Sequence, residues 1–204
     1  MTYGDFTLDT VRKLLGITIT QQRLFDKIAP VAISSWLQEA LDNGMPLAFG
    51  SEKARSEFIV TPILLTIRAL NHNSFSIYSG QRLDADSDKG LTGECDFILT
   101  RTSPLPIIQS PIVTIVEAKK NDIEGGLGQC AAQMVGARHF NQREDSDIET
   151  IFGCVTTGEA WQFLKLGNDI IYIDSGRYYI NQAEELLGVL QAIISYYKLN
   201  HAIA

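Results

Sequence analysis

The residues best suited to chemistry are two carboxylates and an amine carried on core strands. The run Ile112-Val113-Thr114-Ile115-Val116 reads as a buried strand, and its far end carries Glu117 and Lys119. Side chains two apart on a strand share a face, so the acid and the amine emerge together. Asp96, 21 residues before Glu117, opens a second strand over 93–100, in which Asp96, Ile98 and Thr100 alternate with Cys95, Phe97 and Leu99. Charge at the end of a core strand is costly unless it is compensated. A divalent cation meeting a phosphate would compensate it. Two carboxylates on neighbouring strands can share Mg²⁺ (or Mn²⁺), a hard cation that takes oxygen ligands and keeps several waters. Such an ion acidifies a bound water and offsets charge on the phosphate under attack, and Lys119 would orient or deprotonate that water. An acid-x-Lys triplet is expected by composition roughly once in a chain of this size. Its placement, not its occurrence, carries the signal.

The elements that must hold these groups follow from the hydrophobic pattern. Residues 1–48 read as helical, with Leu8, Val11, Leu14 and Leu15 on one stripe and Ile33, Trp36, Leu37, Ala40 and Leu41 on another. The second of these helices is expected over 31–43, started by Pro30 and stopped at Asn43-Gly44. A third helix over 51–70 has Ser51 as its N-cap and must kink or split at Pro62. Glu57 lies six residues into it. A short strand over 75–78 precedes a polar loop or hairpin over 79–91. After the strand ending in Lys119, residues 121–128 read as a loop and 127–141 as a helix, with Leu127, Cys130, Ala131 and Met134 as its core stripe. Gln129 and Gln133 run down an adjacent face of that helix. Three strands over 151–157, 160–166 and 170–173 form a meander, and an amphipathic helix over 182–199 closes the chain. The expected fold class is α/β (a mixed α+β sheet) in a single domain over 1–204, with a helical N-terminal extension over 1–50, a core over 51–174 and a C-terminal helix over 181–199.

Asp96, the Glu117-Ala118-Lys119 triplet, a helical acid before them and glutamines on the helix after them together resemble the PD-(D/E)xK nuclease superfamily, the restriction-endonuclease-like fold with its αβββαβ core. The resemblance covers about residues 51–157. It implies a nuclease that hydrolyses DNA phosphodiester bonds with Mg²⁺ (or Mn²⁺) held by Asp96, Glu117 and the backbone carbonyl of Ala118, with Lys119 beside the attacking water. Glu57 matches the family's helical Glu, positioning the metal or its water, and Gln129 or Gln133 matches the downstream Gln. The chain departs from the pattern in one place: Cys95, not proline, precedes Asp96.

Composition bounds these readings. A net charge of −7 and a pI near 4.9 argue against broad affinity for nucleic acid, which normally comes from a basic surface. They leave room for a nuclease, whose site is itself acidic and whose metal brings the positive charge. DNA affinity is then expected to draw on a second copy or a partner subunit. No run of apolar residues is long enough to span a bilayer, and the N-terminus lacks a signal-peptide pattern, so no membrane partner and a cytoplasmic location are expected. The three cysteines, Cys95, Cys130 and Cys154, are widely spaced and read as buried free thiols. His72, His139 and His201 read as surface or helix-end residues, and Trp36 and Trp161 as core. Arg138 and Arg143 lie near enough to the glutamine helix to touch phosphate. Gly126-Leu127-Gly128-Gln129-Cys130-Ala131 formally fits a dinucleotide fingerprint, but seven residues, 119–125, separate it from the strand. Two alternatives compete with the nuclease: a solvated Glu117–Lys119 pair of no function, and a non-catalytic subunit or regulatory module on the same fold.

Overall fold

A mixed eight-stranded sheet with helices on both faces organises the chain, as seen in a computed structural model whose described residues are 1–200. The elements are α1 (Leu8–Leu15), β1 (Thr18–Gln22), α2 (Ser35–Ala48), α3 (Glu52–Arg55), a π-helical turn (Ser56–Val60), α4 (Thr61–Leu70), β2 (Ser76–Arg82), β3 (Glu94–Thr100), β4 (Ile112–Ala118), α5 (Ile123–Arg143), β5 (Ile151–Thr156), β6 (Ala160–Gly167), β7 (Ile170–Asp174), β8 (Tyr178–Tyr179) and α6 (Ala183–Asn200). The strand order is β1-β7-β6-β5-β4-β3-β2, with β8 paired to β6. Two pairs run parallel, β4 with β5 and β1 with β7, and the others are antiparallel. Helix α5 is the crossover between the parallel strands β4 and β5, and it packs on both of them. Gly153 faces α5 through Met134 and Cys130, whereas its neighbour Phe152 meets Tyr196 and Tyr197 of α6 on the other face. Among the described residues no helix is long and apolar enough to cross a membrane.

Several expectations need correction. Residues 1–50 are not a purely helical extension, because Thr18–Gln22 forms β1 and pairs in parallel with β7. The sheet therefore crosses the boundary expected at residue 51. Helix α2 starts at Ser35, where Ser34 Oγ accepts from Leu37 N at 3.2 Å, and it runs through Gly44 and Pro46. Gly44 is a contact point and not a stop: a Cβ there would lie 2.8 Å from the Phe58 carbonyl oxygen. Trp36, expected in the core, is 50% exposed beside the buried Leu37 and Leu41, while Trp161 is fully buried as expected.

Helix α5 begins at Ile123, earlier than expected, capped by Asp122 Oδ1 accepting from Gly125 N at 2.9 Å. Gly126 and Gly128 are therefore helical and form neither a loop nor a phosphate cradle. They are needed for close approach. A Cβ at Gly128 would overlap the Phe6 carbonyl oxygen, and one at Gly136 would overlap the Tyr3 hydroxyl. Gly128→Ala is expected to destabilise the fold by about 1–3 kcal/mol, the cost of overpacking against backbone that cannot move aside. Chemical denaturation measures it, and an unchanged midpoint would show that the N-terminal segment yields instead.

Other readings hold. Ser51 Oγ caps α3 by accepting from Ala54 N at 3.0 Å, and the π turn precedes Pro62, where a kink or split is expected. Asn168 and Asp169 both adopt positive φ in the two-residue turn between β6 and β7. Strand β2 extends to Arg82, four residues beyond its expected end. All three cysteines are buried and free. His72 is exposed, His139 is partly buried beside Asp86, and His201 lies outside the described residues.

Candidate active site

Antiparallel pairing of β3 with β4 sets Phe97 opposite Val116. One step further along, Asp96 meets the end of β4, where its Oδ2 accepts from Ala118 N at 2.7 Å. Glu117 is 2% exposed, and both of its oxygens are engaged. Oε1 accepts from Lys119 Nζ at 2.7 Å, and Oε2 accepts from Gln133 Nε2 at 2.9 Å. Lys119 Nζ also donates to Gln129 Oε1 at 3.0 Å. The two glutamines one turn apart on α5 therefore divide the work, one holding the lysine and the other the carboxylate. Gly126 allows this, because a Cβ there would lie 3.0 Å from Lys119 Cγ and press on Val155. Gln133 is fully buried, and its Oε1 is without a partner among the described residues.

Burial dominates the electrostatics. It pushes Glu117 up to about 7, with the Asp96 charge adding to the rise and Lys119 and Gln133 opposing it. Asp96 is also raised, first by burial, against the pull of the Ala118 N–H and Lys119 and with Glu52 and Glu94 pushing the same way. Lys119 is raised: burial pulls it down, but the Glu117 charge and hydrogen bond, with Glu52 and Asp96, outweigh that. Near neutral pH Lys119 is thus an ammonium, and Glu117 is the group that exchanges a proton. An ammonium can orient a water or stabilise an anion, but it cannot take the proton. Gln133→Ala is expected to tighten proton binding by Glu117 roughly tenfold, since a buried carboxylate oxygen loses its donor. The carboxyl ¹³C resonance of Glu117, followed through neutral pH, reads this directly, and an unmoved midpoint would deny Gln133 that role.

Of the two acids at the start of the third helix, it is Glu52 and not Glu57 that bonds to the segment after Glu117. Glu57 is 55% exposed in its side chain and sits 3.8 Å from Lys53. Glu52 Oε1 accepts from Lys120 N at 3.2 Å, and its charge acts on both Asp96 and Lys119. Glu52, Glu57, Glu94 and Asp96 together line a cleft of about 450 Å³. Arg55 is buried and stacks on Phe49 with 5.0 Å from Cζ to the ring centroid. Its guanidinium donates to Thr157 O at 2.7 Å and to Asn121 Oδ1 at 3.5 Å, clamping the segment just after Lys119. The only signal for Glu52 or Arg55 is placement in the turn that Ser51 caps. Arg138 and Arg143 are not brought to the site: Arg138 pairs with Asp169 at 2.7 Å, and Arg143 lies over Phe140.

Among the described residues no three His, Cys, Asp or Glu side chains converge as a ready cage for a metal ion. The donor set at Asp96 and Glu117 nevertheless suits Mg²⁺, which is commonly bound through one or two carboxylates with water completing the shell. Two raised carboxyls side by side are also what a cation would relieve. The chain matches no known family model, and no curated protein shows significant sequence similarity to it.

Proposed function

We propose that the chain is a Mg²⁺-dependent nuclease that hydrolyses DNA phosphodiester bonds on a restriction-endonuclease-like core. The observation that carries this reading is the meeting of Asp96 and Glu117 at the ends of adjacent strands, with Lys119 Nζ 2.7 Å from Glu117. The order α4-β2-β3-β4-α5-β5, with β4 and β5 parallel, supports it as the helix–strand–strand–strand–helix–strand sequence of that fold. Asp96, Glu117 and the Ala118 carbonyl would hold the ion, with Glu52 or Glu57 at its edge. When bound, the ion supplies charge for the phosphate and acidifies a water. Lys119, held by Gln129, orients that water and donates to the phosphate. Gln133 favours the ionised form of Glu117, and Arg55 with Glu52 fixes the Lys119–Asn121 segment.

Incubation of plasmid and single-stranded DNA with Mg²⁺ or Mn²⁺ tests the proposal. Wild type is expected to cleave and to stop with a chelator, and Lys119→Ala is expected to lose roughly 10²- to 10⁴-fold. Identical behaviour of the two proteins would end the catalytic reading. A non-catalytic subunit or regulatory module is the second reading, favoured by the engagement of both Glu117 oxygens by Lys119 and Gln133. That reading predicts no cleavage with any divalent ion.

A further inference from the structure

On the face of the sheet opposite Glu117, two adjoining clefts of about 270 and 300 Å³ meet at Lys165, Gln22 and Tyr196. Lys165 on β6 is paired across the ladder with Phe152, and its Nζ lies 5.0 Å from the Tyr196 ring and 5.9 Å from that of Phe152. This ammonium is partly buried, and among the described residues no carboxylate lies within ion-pair distance of it. Arg23, which is exposed, lines the smaller cleft, stands over Tyr178 and donates from Nε to Phe25 O at 3.2 Å, and it too has no carboxylate within ion-pair distance among the described residues. In a chain of net charge −7, a half-buried lysine and an exposed arginine, both over aromatic rings and both free of acids, make this cleft a place where an anion would be welcome.

The larger cleft has the opposite chemistry. Glu149, Thr150, Asn168 and Tyr172 line it, offering a carboxylate, a hydroxyl, an amide and a ring. We infer that the paired clefts bind a ribonucleoside 5′-phosphate, its phosphate between Arg23 and Lys165 and its ribose hydroxyls on Glu149. The Glu149 carboxylate repels a phosphate and accepts from sugar hydroxyls, which fixes the direction of the ligand. The base lies against Tyr172. Together the clefts fall within the roughly 300–1,000 Å³ of small-ligand sites. Neither cleft includes Asp96, Glu117 or Lys119, so this site stands whether or not the chain cleaves DNA.

Calorimetric titration of the full chain in a chelator with AMP, adenosine and inorganic phosphate tests it. AMP is expected to saturate one site, with adenosine and phosphate each about tenfold weaker or more. Lys165→Gln and Arg23→Gln are each expected to weaken AMP about tenfold, and Lys165→Arg to restore it. Glu149→Gln is expected to weaken AMP while binding phosphate at least as well as wild type. AMP binding no tighter than phosphate, or undiminished in glutamine variants that melt like wild type, would overturn the assignment.

Discussion

Asp96→Asn is expected to cut Mg²⁺-dependent DNA cleavage about a thousandfold or more, corresponding to roughly 4 kcal/mol of lost charge stabilisation. The loss should be specific to chemistry. Asparagine keeps an oxygen where Asp96 Oδ2 accepts from Ala118 N, so the β3–β4 junction survives. Only the negative charge disappears. Metal titration by calorimetry and a plasmid-nicking assay on the same preparation separate the two effects. Unchanged metal affinity together with unchanged cleavage would remove Asp96 from the site. The helical acids refine this result. Glu52 contacts the backbone beside Lys119, whereas Glu57 faces the cleft beside Lys53. Glu52→Gln is therefore expected to cost more activity than Glu57→Gln, and the reverse order would restore Glu57 to the place that the sequence pattern gives it.

The second large effect is on stability. Glu117 titrates at about 7 in the folded chain against 4.5 when unperturbed. Between those values the folded state holds a proton that the unfolded state has lost, so stability is greatest at acid pH and declines as pH rises toward 7. The gap between the two values corresponds to roughly 3 kcal/mol surrendered above neutrality. Glu117→Gln keeps the shape and an oxygen for Gln133 Nε2 without the charge, although Lys119 loses its ion pair. The variant is therefore expected to melt about 2–4 °C above wild type in mildly alkaline buffer, a net gain of roughly 1 kcal/mol. That advantage should vanish at acid pH. Mg²⁺ is expected to close the gap by raising the wild type alone, because binding the folded state stabilises it. A variant that melts below wild type by the same margin at both pH values would refute the buried-charge account.

Much of this centre was legible from the chain. The apolar run before Glu117 set strand and face together, and the glutamine spacing set two side chains on one side of α5. Burial of Glu117 and Gln133 follows from those two patterns meeting. What escaped depended on partners distant in sequence. Thr18–Gln22 has an almost wholly exposed pattern, and only the neighbouring β7 makes it a strand. The glycines at 126 and 128 look like a loop because their packing against Lys119, Val155 and the Phe6–Thr7 backbone leaves no local trace. Glu57 enters through its match to the family's helical Glu, and nothing local in the sequence shows that Glu52, one turn earlier, reaches the backbone beside Lys119.

Strand β1 has a consequence for handling the protein. It covers Ile170–Asp174, whose apolar Ile-Ile-Tyr-Ile stretch would otherwise end the sheet with a row of open amides and carbonyls. Thr and Gln side chains on a strand of five residues make a poor template for further strand addition. Trimming the chain to begin at α2 would exchange that blunt margin for a sticky one. Such a truncation is expected to self-associate into β-rich aggregates even with every residue of the Glu117 centre in place.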